Sequence, residues 1–147
     1  MSATTVRDAL LTQLQADTAL VSEFTAPQIK KGVELNFDIK AATKGLRLAI
    51  TASDQELVDM LSKRVNASYA YLVLAYFYET NPENVDDRMN LYDEIIREGV
   101  EKILDIGIEG ARVSIGQTKY SQHPKIENLY FVVIPALIKV RETRGAR

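Results

Sequence analysis

The sequence predicts an α+β fold: a mostly antiparallel sheet flanked by one long helix and an N-terminal helix. Three observations carry that expectation. Residues 69–78 read YAYLVLAYFY, ten residues with no charge, glycine or proline. Val85, Met89, Tyr92, Ile96, Val100, Ile103 and Leu104 recur at helical spacing. Residues 129–140 form a second long apolar run, and the strand-like runs do not alternate regularly with helices, which disfavours a doubly wound sheet.

Taken from the N-terminus, Val6, Leu10 and Leu14 lie on one helical stripe that Ala9 and Leu11 widen, and Thr4 or Thr5 can cap its start. Leu20, Val21 and Phe24 extend or follow this helix until Pro27 ends it. Residues 33–38, VELNFD, alternate apolar and polar as a half-exposed strand does. Thr43-Lys44-Gly45 marks a turn, and residues 46–50 read as a short strand.

Ser53-Asp54-Gln55-Glu56 matches a capping box, so a turn or two of helix is expected through Leu61. Residues 64–80 form the long strand. Asn81-Pro82-Glu83-Asn84 is a turn cluster, followed by the long helix over roughly 85–106, with Asp86 and Asp87 suiting its dipole and Gly107 suiting its C-terminal end. Residues 112–116 read as a strand, 117–128 as a polar segment, and 129–140 as a strand interrupted by Pro135. No repeat, low-complexity segment or linker divides residues 1–147, so a single domain is expected, with a flexible basic C-terminus near 141–147.

Composition bounds the function. At 147 residues the chain is long enough to bury roughly 70% of its unfolded surface. A net charge of −2 argues against a nucleic-acid binder working through bulk positive charge. The absence of cysteine excludes disulfides, thiolate metal sites and cysteine nucleophiles. Arg7, Asp8 and two glutamines occupy the region where a signal peptide would be apolar, and no apolar run reaches the ~20 residues of a spanning helix. A soluble chain made in a cytoplasm, with no membrane partner, is expected.

Catalytic chemistry finds little support. The lone histidine, His123, sits in a polar loop with no nucleophile or orienting acid that the sequence can place beside it. Glu79, Glu83, Asp86 and Asp87 cluster at a helix start, where dipole stabilisation accounts for them, and the calcium-loop pattern is absent. The glycines form neither a dinucleotide fingerprint nor a P-loop. Ser114 and Ser121 lack the context of a nucleophile elbow. The expectation is a protein that is not an enzyme and carries no cofactor and no metal.

The long strand raises a different demand. Tyr69, Tyr71, Val73, Ala75 and Phe77 share one face; Ala70, Leu72, Leu74, Tyr76 and Tyr78 share the other, and both faces are apolar. Helices can cover one. The other needs a second sheet in the same chain or a neighbouring subunit. Residues 130–138 have the same two-sided character, and Pro135 belongs on an edge or at a bulge. Long apolar edges without a partner aggregate, and tyrosine is common at interfaces. Tyr69, Tyr71, Leu72, Leu74, Tyr76, Tyr78, Phe131 and Val133 are therefore the candidate assembly residues of an obligate oligomer.

The order of elements resembles the tail-terminator (tail-completion) family of neck proteins in long-tailed bacteriophages. The segments that carry the resemblance are VRDALLTQLQ, the strand VNASYAYLVLAYFYE, the helix NVDDRMNLYDEIIREGVEKIL, and the strands ARVSIGQTK and NLYFVVIPALIKVRE, together nearly the whole chain. The likeness is a pattern of elements rather than a signature motif. It implies a structural virion protein, assembled in the host cytoplasm into a hexameric ring that caps the tail tube and meets the head-side connector. DNA would pass through the lumen without being read. The family has no catalytic residues to carry over. Residues 53–63 look more helical than the family pattern, which keeps open a head-completion or connector neck protein. A non-viral adaptor that dimerises through its sheet remains the alternative of a different class.

Overall fold

The computed structural model of the protein describes residues 2–32, 43–59, 64–102, 108 and 111–143. The chain begins with α1, Ala3–Ala16, whose buried stripe is Val6, Leu10 and Leu14. Ser2 caps it, its hydroxyl accepting from the Thr5 amide, so the cap stands ahead of the expected Thr4 or Thr5. Asp17 ends α1 and caps α2, Thr18–Phe24, by accepting from the Leu20 amide at 3.1 Å. Pro27 lies in a 3₁₀ turn, Ala26–Gln28, leading into β1, Ile29–Lys31.

Three long strands follow the same logic of alternation. β2 is Lys44–Asp59, β3 is Arg64–Tyr78, and β6 is Leu129–Thr143; between the last two lie α3, Pro82–Glu101, β4, Arg112–Ile115, and β5, Lys119–Gln122. The sheet order is β1-β2-β3-β6-β4, and β5 also pairs with β6. Among the described residues β1 runs parallel to its neighbour β2, and the other pairings are antiparallel. The fold is α+β, as the sequence predicts.

One face of this sheet meets the helices. Ala67, Tyr69, Tyr71, Val73, Ala75 and Phe77 on β3 pack with Leu46 and Leu48 on β2, with Val132, Ile134 and Ile138 on β6, and with the buried stripes of α1, α2 and α3. Phe77, Phe24 and Tyr92 form an aromatic knot at centroid separations of 4.8 Å (Phe24–Tyr92) and 5.2 Å (Phe77–Tyr92). Arg88 stacks 4.5 Å above Phe77 while its guanidinium donates to the Tyr92 hydroxyl at 2.8 Å and to the Tyr78 carbonyl at 3.1 Å, fastening α3 to the end of β3. α2 reaches α3 closely because Gly99 carries no side chain: a Cβ there would lie 2.9 Å from a Leu20 methyl.

Several elements differ from the sequence reading. Residues 53–59 are strand, because their amides enter the ladder with β3, Ser53 opposite Tyr69 and Glu56 opposite Asn66, and need no cap. A register shift between Ile50 and Ala52 places an extra residue in β2. The Asn81-Pro82 cluster is the start of α3 itself: the Asn81 side chain accepts from the Glu83 amide at 3.1 Å, and Pro82 takes the first helical position, where its missing N–H costs nothing. Part of the polar segment 117–128 is β5. Arg141 and Thr143 belong to β6, while residues 144–147, the expected strand at 33–38 and the helix end near Gly107 lie outside the described residues.

The apolar strands β3 and β6 are not edges. Each is interior, and they pair with one another over their whole length. Pro135 is tolerated there because of a gap on the far side of β6. β4 covers Ala136 to Lys139 and β5 covers Tyr130 to Val133, which leaves Pro135 between them. Its carbonyl accepts from the Gly116 amide at 2.8 Å, so its nitrogen also points into this gap and no ladder bond is lost. The turn that makes the gap is held to α3: Arg97 donates to Asp93 at 2.9 Å and to the Gly116 carbonyl at 2.8 Å, and the Thr118 hydroxyl donates to Asp93.

Candidate interaction surface

The second face of the sheet has no helix on it among the described residues, and strand register places its side chains row by row. Gly45, Tyr76 and Phe131 form one row; Arg47, Leu74 and Val133 the next; Ala49, Leu72 and Pro135 the next; Ala52, Ala70 and Leu137 the next. Beyond them come Asp54, Ser68, Lys139 and Arg112, then Asn66 and Arg141.

The first row is covered by the chain itself. Tyr76, Leu129 and Phe131 are buried under the 123–128 loop, with Ile126 packed on them. His123 shapes this loop: its Nδ1 accepts from the Lys125 and Ile126 amides at 3.0 and 2.9 Å, and its ring sits 5.8 Å from that of Phe131. The histidine is thus a turn-forming acceptor, and those bonds involve backbone amides rather than a nucleophile. Gly45 lies under the Tyr76 ring, so close that a Cβ would overlap it, and the Tyr76 hydroxyl accepts from Arg47 at 3.0 Å. Both the missing Cβ and the guanidinium stack fix the ring flat on the sheet.

The middle rows are open. Ala70, Leu72, Leu74, Val133, Pro135 and Leu137 are all half-buried, each leaving apolar surface toward solvent. Ala70, Leu72, Pro135 and Leu137 line, with Thr51 and Ile115, a shallow apolar groove of about 440 Å³, while Leu74 and Val133 pack toward Tyr76 and Phe131. By strand spacing and rise, the three open rows from Leu74 to Ala70 span roughly 300 Å² in projection. A stable protein interface needs about 800 Å² per partner. The apolar rows therefore suit the centre of an interface whose rim lies in the neighbouring polar rows.

The candidate assembly residues divide accordingly. Leu72, Leu74, Tyr76, Phe131 and Val133 lie on this face, with Tyr78 at its end opposite Leu129. Tyr69 and Tyr71 lie on the other face, each 1% exposed beneath the helices, and are core residues of the protomer. Pro135, Leu137 and Ala70 complete the open patch; alternation along the two strands marks the first two as neighbours of Val133, but only the register joins them to Leu72 and Ala70.

Among the described residues no group of three or more histidine or carboxylate side chains is placed to hold a metal ion. The acidic residues at the start of α3 behave as helix-start groups, and Glu79 pairs with Arg88 at 3.6 Å. Among the described residues no helix is long and apolar enough to cross a membrane.

No protein-family model and no curated protein matches the sequence. Among solved structures, the chain is similar in fold to a chain of the virion of a native gene transfer agent particle. That likeness has a TM-score of 0.51 at 10% sequence identity, over 92% of this chain and 94% of the other. At such identity the likeness is one of fold.

Proposed function

We propose that this protein is a structural virion component that forms a ring, most simply a hexamer, in the neck of a tailed particle. In that role it caps the tail tube, meets the head-side connector, and lets DNA pass through its lumen without sequence recognition. The observation that supports this reading best is the fold shared with a gene transfer agent virion chain, end to end in both chains. The order of elements, which resembles tail-terminator proteins, points the same way. The open apolar rows give such a protein a surface to bury on assembly.

The experiment is the mass and shape of the purified protein across concentration, by light scattering and negative-stain imaging, alone and with tail-tube protein. A six-fold ring is expected. A closed two-fold dimer under all conditions would replace this reading with that of a dimeric adaptor.

A further inference from the structure

The rows beyond Leu137 exchange apolar groups for charge, and the charge is sorted by strand. Lys139 stands opposite Ser68 on one side and opposite Arg112 on the other, and Arg141 stands opposite Asn66. Arg112, Lys139, Arg141, Asn66 and Ser68 line a groove of about 480 Å³. Arg141 donates to Asn66 at 3.4 Å, and none of the three cations meets a carboxylate among the described residues. The same row ends in an acid at the other side of the sheet: Asp54, exposed on β2, lies opposite Ser68. Across the sheet the row runs Asp54, Ser68, Lys139, Arg112. At about 4.8 Å between strands, roughly 10 Å of sheet separates the backbone of Asp54 from that of Lys139, and no ion pair joins Asp54 to a cation in the protomer among the described residues.

From this row we infer a contact between copies of the chain: the Asp54 edge of β2 in one protomer enters the groove lined by Arg112, Lys139 and Arg141 in the next. The inference rests on the ring reading and names the surfaces that would meet. Acid and base lie toward opposite sides of one sheet, the arrangement a head-to-tail contact uses, since it joins two different patches and closes into a ring when the rotation allows. Charges at the rim of an apolar patch select the partner and set its register. β1 covers the outer side of β2 only from Leu46 to Leu48, so among the described residues no strand shields Asp54. The molecule as a whole has a net charge of −2, so three cations gathered in one groove are a local arrangement and not a consequence of composition.

The test is a charge swap on the full chain. Asp54→Lys alone, and Arg112→Glu with Lys139→Glu, replace exposed side chains, and circular dichroism checks that each variant is folded. Each is expected to weaken ring assembly at least tenfold in low salt, by sedimentation. Mixing the two variants, or combining all three substitutions in one chain, restores rings, because every contact is again opposite in charge. If the wild type forms rings and the folded variants assemble equally well, the contact is wrong while the ring reading stands. The contact is equally wrong if the combined variant stays unassembled. If Arg112→Glu with Lys139→Glu abolishes salt-sensitive binding of a 30-base-pair duplex but leaves rings intact, the groove meets phosphate and the contact is overturned. If the wild type forms only a two-fold dimer, or never associates even with tail-tube protein, the ring reading falls and this contact with it.

Discussion

The Tyr71 hydroxyl donates to the Ala3 carbonyl at 2.8 Å, joining the middle of β3 to the first turn of α1. This bond explains why a tyrosine, rather than a phenylalanine, occupies a position that is 1% exposed. A buried hydroxyl needs a partner, and the helix start supplies one. Tyr92 follows the same rule through Arg88. The tyrosines of YAYLVLAYFY are therefore not one group with one purpose.

Tyr71→Phe is expected to lower stability by about 1 kcal/mol, the net worth of one buried hydrogen bond, and to leave assembly unchanged. Urea unfolding of the protomer reads the first effect and light scattering the second.

Alkaline pH tests the same buried hydroxyls. Burial pushes the Tyr71 and Tyr92 hydroxyls up from their ordinary value, against a smaller opposing pull from Arg88 at Tyr92. The neutral form is thus favoured in the folded state. Their contribution is complete below about pH 10, where the unfolded chain also keeps its protons, and is lost as pH rises through the higher folded values. Stability should fall above pH 10 in the wild type and fall less steeply in Tyr71→Phe, measured by denaturant midpoint against pH.

The opposite sign holds at Asp17, which Lys102 approaches at 2.8 Å. Burial alone would raise this carboxyl, but the Lys102 bond and the Leu20 amide together hold it below its ordinary value. Its contribution is present above about pH 4 and is lost as pH falls through the lowered folded value. Asp17→Ala removes both the α2 cap and the ion pair and should cost about 1–2 kcal/mol at pH 7. Lys102→Met should cost about 1 kcal/mol or less, since about half of its side chain is in water. Thermal melts at pH 3 and pH 7 should show the Asp17→Ala penalty shrinking at the lower pH.

Val73 and Leu74 are neighbours on opposite faces, and the same substitution should separate folding from assembly. Val73→Asp places an unpaired carboxylate among the helices and should cost about 4 kcal/mol or more, unfolding the chain. Leu74→Asp changes a half-exposed residue and should leave a folded protomer that no longer associates. A folded, fully assembled Leu74→Asp protein would remove the open face from the interface.

Gly45→Ala should cost about 1–3 kcal/mol, because the added methyl displaces the Tyr76 ring. The Gly45→Ala penalty should shrink when Tyr76 is already alanine, read by thermal melting as the difference between Tyr76→Ala and the double variant.

Periodicity alone determined much of this molecule. The stripe Val6, Leu10, Leu14 and the spacing from Val85 to Val100 specify helices because 3.6-residue repeats bury one side only, and the alternation from Tyr69 to Tyr78 specifies which residues share a face. The α+β class and the two-sided character of the long strand follow from those local rules. Tertiary structure decided what local rules cannot reach. The Ser53–Glu56 pattern satisfies a helix cap on paper, yet its amides are better served by the ladder to Tyr69 and Asn66, a partner ten to sixteen residues away that no short window contains. Whether Pro135 marks an edge depended on where β4 and β5 stop along β6. Which tyrosines are core and which lie on the open face depended on the side the helices took, and packing against a distant segment, unlike periodicity, leaves no mark in the local sequence. The charged row from Asp54 to Arg112 exists only in register: its four residues come from four strands, and they become neighbours when the backbone hydrogen bonds align them.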